Sequence, residues 1–268
     1  SSSVKLSIFD ADSQQSIAAV GEPKSEMAME ALQPGWAEQD PNQWWENVKI
    51  ALQRLQSEYQ IDLTQIKAIG IAYQMHGLVL TDSHLNPVRP SIIWCDSRAA
   101  AIGDKAFKEI GEEKCHDMIL GSPGNFTASK LKWVKENEPE IYKKAAYMML
   151  PGDYIAARFS EKPQISKGGL SEGMLWHFKE NRLAKEILEY YGISEELIPE
   201  VVSNFGDQAL VSSKVAKELG LSEDVKITYR AGDQPNNAMS LNVLSPGEIA
   251  TTAGTSAVIY SVSENHAF

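Results

Sequence analysis

Val225-Lys226-Ile227-Thr228-Tyr229-Arg230-Ala231-Gly232-Asp233-Gln234-Pro235 is the stretch on which the fold turns. An apolar, partly β-branched run meets a glycine, then an acidic residue, then a proline ahead of the small-residue segment Asn236-Asn237-Ala238-Met239-Ser240. This reads as a buried strand, a tight turn and a helix with Pro in its first turn. Such a turn holds the Asp233 carboxylate at the carboxyl end of a strand, where open α/β sheets bind their ligands. Further on, Thr251-Thr252-Ala253-Gly254-Thr255-Ser256-Ala257 forms a glycine-hydroxyl turn. Its backbone N–H groups at Gly254, Thr255 and Ser256 suit a phosphate. A carboxylate beside a phosphate nest suggests phosphoryl transfer to a hydroxyl. Asp233 could equally be a helix cap, and spacing alone does not choose.

Outward from this turn the signals alternate. Asp40 is suited to cap a helix with Pro41 at its first position, and Trp45, Val48, Leu52, Leu55 and Tyr59 then recur as a helical stripe. A buried strand is expected over 66–73. Segments 78–81 and 90–94 flank a polar turn and read as a hairpin. Further helices are expected over 97–110, 128–137, 139–145, 153–158, 183–191 and 213–219. Interleaved strands and helices argue an α/β fold. At the ends, 6–10 and 16–21 read as a hairpin with no leader, as if a strand preceded it, and 247–251 with 257–262 read as the opening of a second unit. The expected division is a domain over 1–244 and the start of another over 245–268.

Composition narrows the function. The 268 residues carry a net charge of −11, which disfavours a duplex nucleic acid and does little to attract anionic lipid. Mg²⁺ and a local nest could still handle a phosphorylated nucleotide. No apolar run is long enough to span a bilayer, and no signal peptide is visible. Cys95 and Cys115 have no CxxC partner, so reduced thiols in a cytoplasmic protein are expected. Neither G-x-x-x-x-G-K-[ST] nor G-x-G-x-x-G occurs, which removes P-loop ATPases and leaves a simple Rossmann dehydrogenase unsupported.

Three local motifs carry chemistry. Gln74-Met75-His76-Gly77 follows a strand, where amide and imidazole can bond polyol hydroxyls while Met packs on carbon; a lone, satisfied core histidine is the plainer reading. In Ile92-Ile93-Trp94-Cys95-Asp96-Ser97-Arg98, Asp96 is most simply an N-cap that pairs locally with Arg98. Gly169-Leu170-Ser171-Glu172-Gly173 fits the G-x-S-x-G elbow, with Asp233 and His266 following in hydrolase order. The elbow needs a buried strand before it, whereas 161–168 is polar and contains Pro163. The match reads as accidental, with a hydrolase kept as a rival.

Taken together, the motifs resemble the FGGY carbohydrate kinases. Gly35-Trp36-Ala37-Glu38-Gln39-Asp40-Pro41 with Trp44-Trp45 is similar to the family's opening signature. Gln74-Met75-His76-Gly77 is similar to the sugar-binding motif of its xylulokinase branch. Ile92 to Arg98, Phe126-Thr127-Ala128-Ser129-Lys130-Leu131 and Leu150-Pro151-Gly152-Asp153-Tyr154 follow in that branch's order. Gly232-Asp233-Gln234 matches the position of the catalytic Asp, and Ala253-Gly254-Thr255-Ser256 the second phosphate loop. Ser1-Ser2-Ser3-Val4-Lys5 resembles the end of the first phosphate loop, D-x-G-[ST]-[ST]-x-K, whose Asp and Gly would lie upstream. Gln234 departs from the Asn expected in xylulokinases and looks more like glycerol kinases, which carry an Arg-Glu pair where this chain has Met75 and His76.

The resemblance implies two ribonuclease-H-like (actin-like) domains around a cleft, the first binding sugar and the second ATP. It implies ATP and Mg²⁺ as cofactors and D-xylulose as acceptor, with gluconate or another ketopentose as alternatives. Asp233 would be the base. Met75, His76, Gln234 and Trp94 would hold the sugar. Gly254, Thr255, Ser256, Ser2 and Ser3 would face phosphates. An actin-like ATPase or a sugar-binding pseudokinase shares the fold and stays open, as does a homodimer.

Overall fold

The computed structural model describes residues 2–253 and 257–265. Strands β1 (Val4–Asp10) and β2 (Gln15–Glu22) form the expected antiparallel hairpin. After the short β3 (Glu38–Gln39) comes α1 (Pro41–Tyr59). The Asp40 side chain accepts the Asn42 N–H, Pro41 opens the helix, and Gln60 ends it in the left-handed region. The face it buries is Trp44, Trp45, Val48, Ala51 and Leu55. Tyr59, expected on the stripe, is exposed, because the helix packs its N-terminal turns on the core and its last turn reaches past it.

Next come β4 (Ala68–Tyr73), β5 (Val79–Thr81) and β6 (Ser91–Ile92). Then follow α2 (Ala100–Ile110), α3 (Glu112–Ile119), α4 (Thr127–Asn137) and α5 (Pro139–Lys144). The 78–94 hairpin survives only as isolated bridges at Leu78–Ile92 and Thr81–Pro87. Its strands find better partners: β5 pairs with β7 (Tyr147–Met149), and β6 with β3. Next, α6 (Pro151–Ser160), β8 (Gln164–Ser166) and α7 (Lys167–Glu172) run together. The hairpin β9 (Trp176–His177) and β10 (Arg182–Leu183) leads to α8 (Lys185–Tyr191). Strand β11 (Glu200–Val202) pairs parallel with β8, ahead of β12 (Phe205–Leu210) and α9 (Ser213–Leu219).

The deciding segment folds as read: β13 (Lys226–Gly232) runs into α10 (Asp233–Ser240). Strand β13 is the centre of a three-stranded sheet, antiparallel to β12 and parallel to β4. The parallel register sets Gly232 opposite Tyr73. Finally β14 (Ile249–Ala253) and β15 (Ala257–Ser261) pair with each other and with no other strand among the described residues. The main core gathers Trp45, Ile71, Leu80, Leu131, Met148, Ile165 and Ile227 between the sheet and its helices. Among the described residues no helix is long and apolar enough to cross a membrane, and both cysteines are free thiols, Cys95 exposed and Cys115 buried.

Candidate functional site

Because β4 and β13 are parallel neighbours in register, the segments after them emerge at the same edge of the sheet. That places Gln74-Met75-His76 and Asp233-Gln234 side by side at the carboxyl ends of adjacent strands, where α/β sheets bind ligands. Gly232 is what lets them close up. A Cβ there would lie 2.4 Å from Met75 Cγ and 2.5 Å from Glu172 Oε2, so any larger residue would have to push those side chains aside.

Asp233 is the first residue of α10, and the N-cap position belongs to Gly232. It is half-buried. Burial raises its carboxyl above the usual range, while the backbone N–H groups of Gln234 and Asp233 itself pull it back. No lysine or arginine among the described residues forms an ion pair with it, unlike buried Asp153, which Arg230 holds at 3.1 Å. Gln234 follows half-buried in the first turn.

His76 has φ +62, a left-handed backbone that a β-free glycine adopts readily and histidine seldom does. Its Nδ1 lies 3.1 Å from the Glu172 carbonyl oxygen. A carbonyl only accepts, so Nδ1 carries the proton and Nε2 is left with a lone pair. Burial lowers the imidazole to about 4, so the ring is neutral near pH 7. Phe126 packs edge-on against it at 4.5 Å.

Lys130, from α4, ties this loop to the next. Its buried Nζ donates to the carbonyls of His76 and Ile93, each at 2.9 Å. Desolvation lowers the amine to about 8. Trp94, the residue after Ile93, is 50% exposed, so its indole is available on the surface beside the loop that Lys130 anchors. Asp96 behind it is not the helix N-cap. It accepts from the Ala37 N–H at 2.6 Å and from the Arg98 backbone and guanidinium, and α2 starts three residues later than expected, at Ala100. The pairing with Arg98 is as read, and Arg98 in turn stacks over Trp36 at 3.8 Å.

Ser2 and Ser3 lie just before β1, Ser2 exposed and Ser3 half-buried, and the Ser2 carbonyl accepts the Met27 N–H. Gly254, Thr255 and Ser256 lie outside the described residues, as does His266. The G-x-S-x-G match resolves differently from its expectation. A short buried strand, β8, does precede it, its polar Gln164 satisfied by Glu200, Gln208 and Arg230. Ser171, however, sits inside α7 rather than at the strand-to-helix corner that would expose a nucleophile. Two residues at the site had no role assigned from sequence, Lys130 and Glu172. The only signal for Lys130 was its place in the Phe126–Leu131 motif. Among the described residues no three acidic, histidine or cysteine side chains gather into a metal cage.

A half-buried carboxylate and a neutral imidazole from two motifs thus stand at the carboxyl ends of neighbouring parallel strands. Residues 1–240 match the model of the FGGY family of carbohydrate kinases, N-terminal domain; the chain belongs to this family. A xylulose kinase of Staphylococcus epidermidis is 31% identical over 230 residues, which is 85% of this chain and 45% of that protein. A crystal structure described as a xyloylose kinase from Brucella ovis superposes with TM-score 0.87 at 26% identity, covering 96% of this chain and 52% of that one. The gluconate kinase of Lactobacillus acidophilus matches in fold at TM-score 0.86 and 23% identity, over 96% of this chain and 51% of its own. The fold is therefore the α/β, actin-like fold of the sugar-kinase N-terminal domain. The chain spans about half the length of the relatives it matches.

Proposed function

We propose that this chain is the sugar-binding N-terminal part of an ATP-dependent xylulokinase that converts D-xylulose and ATP to D-xylulose 5-phosphate and ADP. The observation that carries this reading is the Gly232–Tyr73 register, which brings the carboxylate and the Met75-His76 loop to one strand edge. The sugar-kinase class rests on family membership, and the choice of D-xylulose on the named relatives.

In the proposed reaction the terminal hydroxyl of the sugar attacks the γ-phosphorus of ATP. The new O–P bond forms as the bond to the β-phosphate oxygen breaks, ADP leaves, and the hydroxyl proton passes to Asp233. A sugar hydroxyl is too weak an acid to ionise first near neutral pH, so proton loss accompanies a loose transition state that Asp233 also orients. Neutral His76 accepts a hydrogen bond from another sugar hydroxyl at Nε2, Met75 packs on the carbon chain, and Gln234 and Trp94 flank it. Ser2 and Ser3, with Gly254, Thr255 and Ser256, are assigned to the phosphates. Mg²⁺ typically binds through one or two carboxylates plus substrate phosphates. Such an ion would be held chiefly by the nucleotide's phosphate oxygens, where it would offset their charge.

The test is an ADP-release assay on the full-length protein with D-xylulose, other ketopentoses, gluconate and glycerol. A kcat/KM highest for D-xylulose supports the reading. ADP release that is independent of any sugar would point to an actin-like ATPase, and binding of sugar without phosphorylation to a pseudokinase.

A further inference from the structure

Glu172 closes α7 and is 8% exposed. Three parts of the site meet at it. Its carbonyl holds the His76 ring. Its Oε2, together with Met75 Cγ, occupies the space that a side chain at Gly232 would need. Its acid group faces the Tyr73 hydroxyl, and the Gln74 side-chain oxygen at the end of β4 is buried with no hydrogen-bond partner among the described residues. A buried polar atom without a partner is costly and rare, and one at this strand end marks a place that something polar completes.

We propose that Glu172 is a positioning residue of the sugar pocket, bracing Met75 against Gly232 and His76 through its carbonyl so that the two side chains meet a bound polyol in fixed orientation. This role presupposes the sugar-kinase reading above. The groups that face Glu172 are Tyr73 and His76 from β4 and the loop after it, Asp153 from α6 and Asp233 from α10. Arg230 of β13 is engaged by Asp153 and Gln164 and does not neutralise a further carboxylate. Burial, with Asp153 and Asp233 nearby, holds the Glu172 acid well above the usual carboxylate range. Its ionisation at higher pH would set a second negative charge beside Asp233 and disturb the loop it braces.

The test uses the full-length protein, with KM for D-xylulose and for ATP measured separately across pH. Glu172→Ala should raise the sugar KM about tenfold, the loss of roughly one hydrogen bond's worth of pocket order, and move the ATP KM less than about twofold. Glu172→Gln, which keeps the shape and cannot ionise, should recover part of that loss. It should also remove the rise in sugar KM expected of the wild type as pH is raised. If the alanine variant fails to fold, the glutamine variant and the wild-type profile decide. A flat wild-type profile, or an identical rise in Glu172→Gln, overturns the role, as does an unmoved sugar KM in both variants. A wild type with no sugar-dependent ADP release overturns the kinase reading and this role with it.

Discussion

At the scale of single residues, the proposed roles of Asp233 as base and His76 as sugar ligand separate chemistry from binding. Asp233→Asn keeps the shape and a hydrogen-bonding group but removes the base. Turnover should fall by about 10²–10⁴-fold, with sugar affinity, read by calorimetry, within a small factor of wild type. A variant with near-normal kcat would return Asp233 to a purely structural place in the first turn of α10. His76 gives a pH signature. Its folded value near 4 is below the unfolded value of about 6.5. Between these the unfolded chain binds more protons, so stability is fully present above the upper value and is lost as pH falls toward the lower one. Chemical denaturation at a series of pH values should show that slope, and His76→Gln should flatten it while raising the sugar KM more than the ATP KM. Asp233, Met75 and His76 were legible as candidates because each directly follows an apolar strand. Glu172 and Lys130 were not, because what gives them meaning are contacts with His76 and Ile93, distant in the chain, which no local pattern records.

At the scale of elements, the strand-to-helix corner depends on backbone clearance. Gly232→Ala would drive a methyl into Met75 and Glu172. We expect a destabilisation of about 1–3 kcal/mol from overpacking and a raised sugar KM, measured by urea melts and kinetics. The other fixed point is Arg230, buried in β13 between Asp153 and the side chains of Gln164 and Gln208. Arg230→Met leaves the Asp153 carboxylate without its cation, which should cost about 3–5 kcal/mol; adding Asp153→Asn should restore part of it. A double variant no more stable than the single would show that the uncompensated Asp153 charge is not what the single variant loses. These contacts also explain which elements the sequence concealed. Strand β8 reads as loop because Gln164 and Ser166 are polar, yet it is buried because Arg230 and β11 satisfy it. The hairpin at 78–94 is reduced to isolated bridges because a further partner for β5 arrives only with Tyr147–Met149, beyond the reach of any short window. By contrast α1 announced itself through Asp40-Pro41, and β13 through the partly β-branched run that leads from Val225 to Gly232.

At the scale of the whole molecule, the match to relatives about twice as long sets an expectation for the 268-residue chain prepared alone. If the adenine-binding part lies in the stretch of the relatives that this chain does not span, the isolated chain should show no sugar-dependent ADP release. Brisk turnover by the isolated chain, run beside the full-length protein, would mean that nucleotide binding is complete within these residues.

The pairing of Gly232 with Tyr73 joins points roughly 160 residues apart along the chain, and non-local contacts of this kind form late and slowly. During synthesis the loop carrying His76 leaves the ribosome long before the strand that carries Asp233. At about 5–20 residues per second, the interval is on the order of ten seconds or more. Over that time the exposed edge of β4 has no β13 to cover it. The corner where His76 and Asp233 meet is therefore among the last features of this part of the molecule to exist. A nascent chain arrested before Lys226 should bind no sugar however well its first helices have folded, and it should be a strong client for chaperones that recognise bare strand edges.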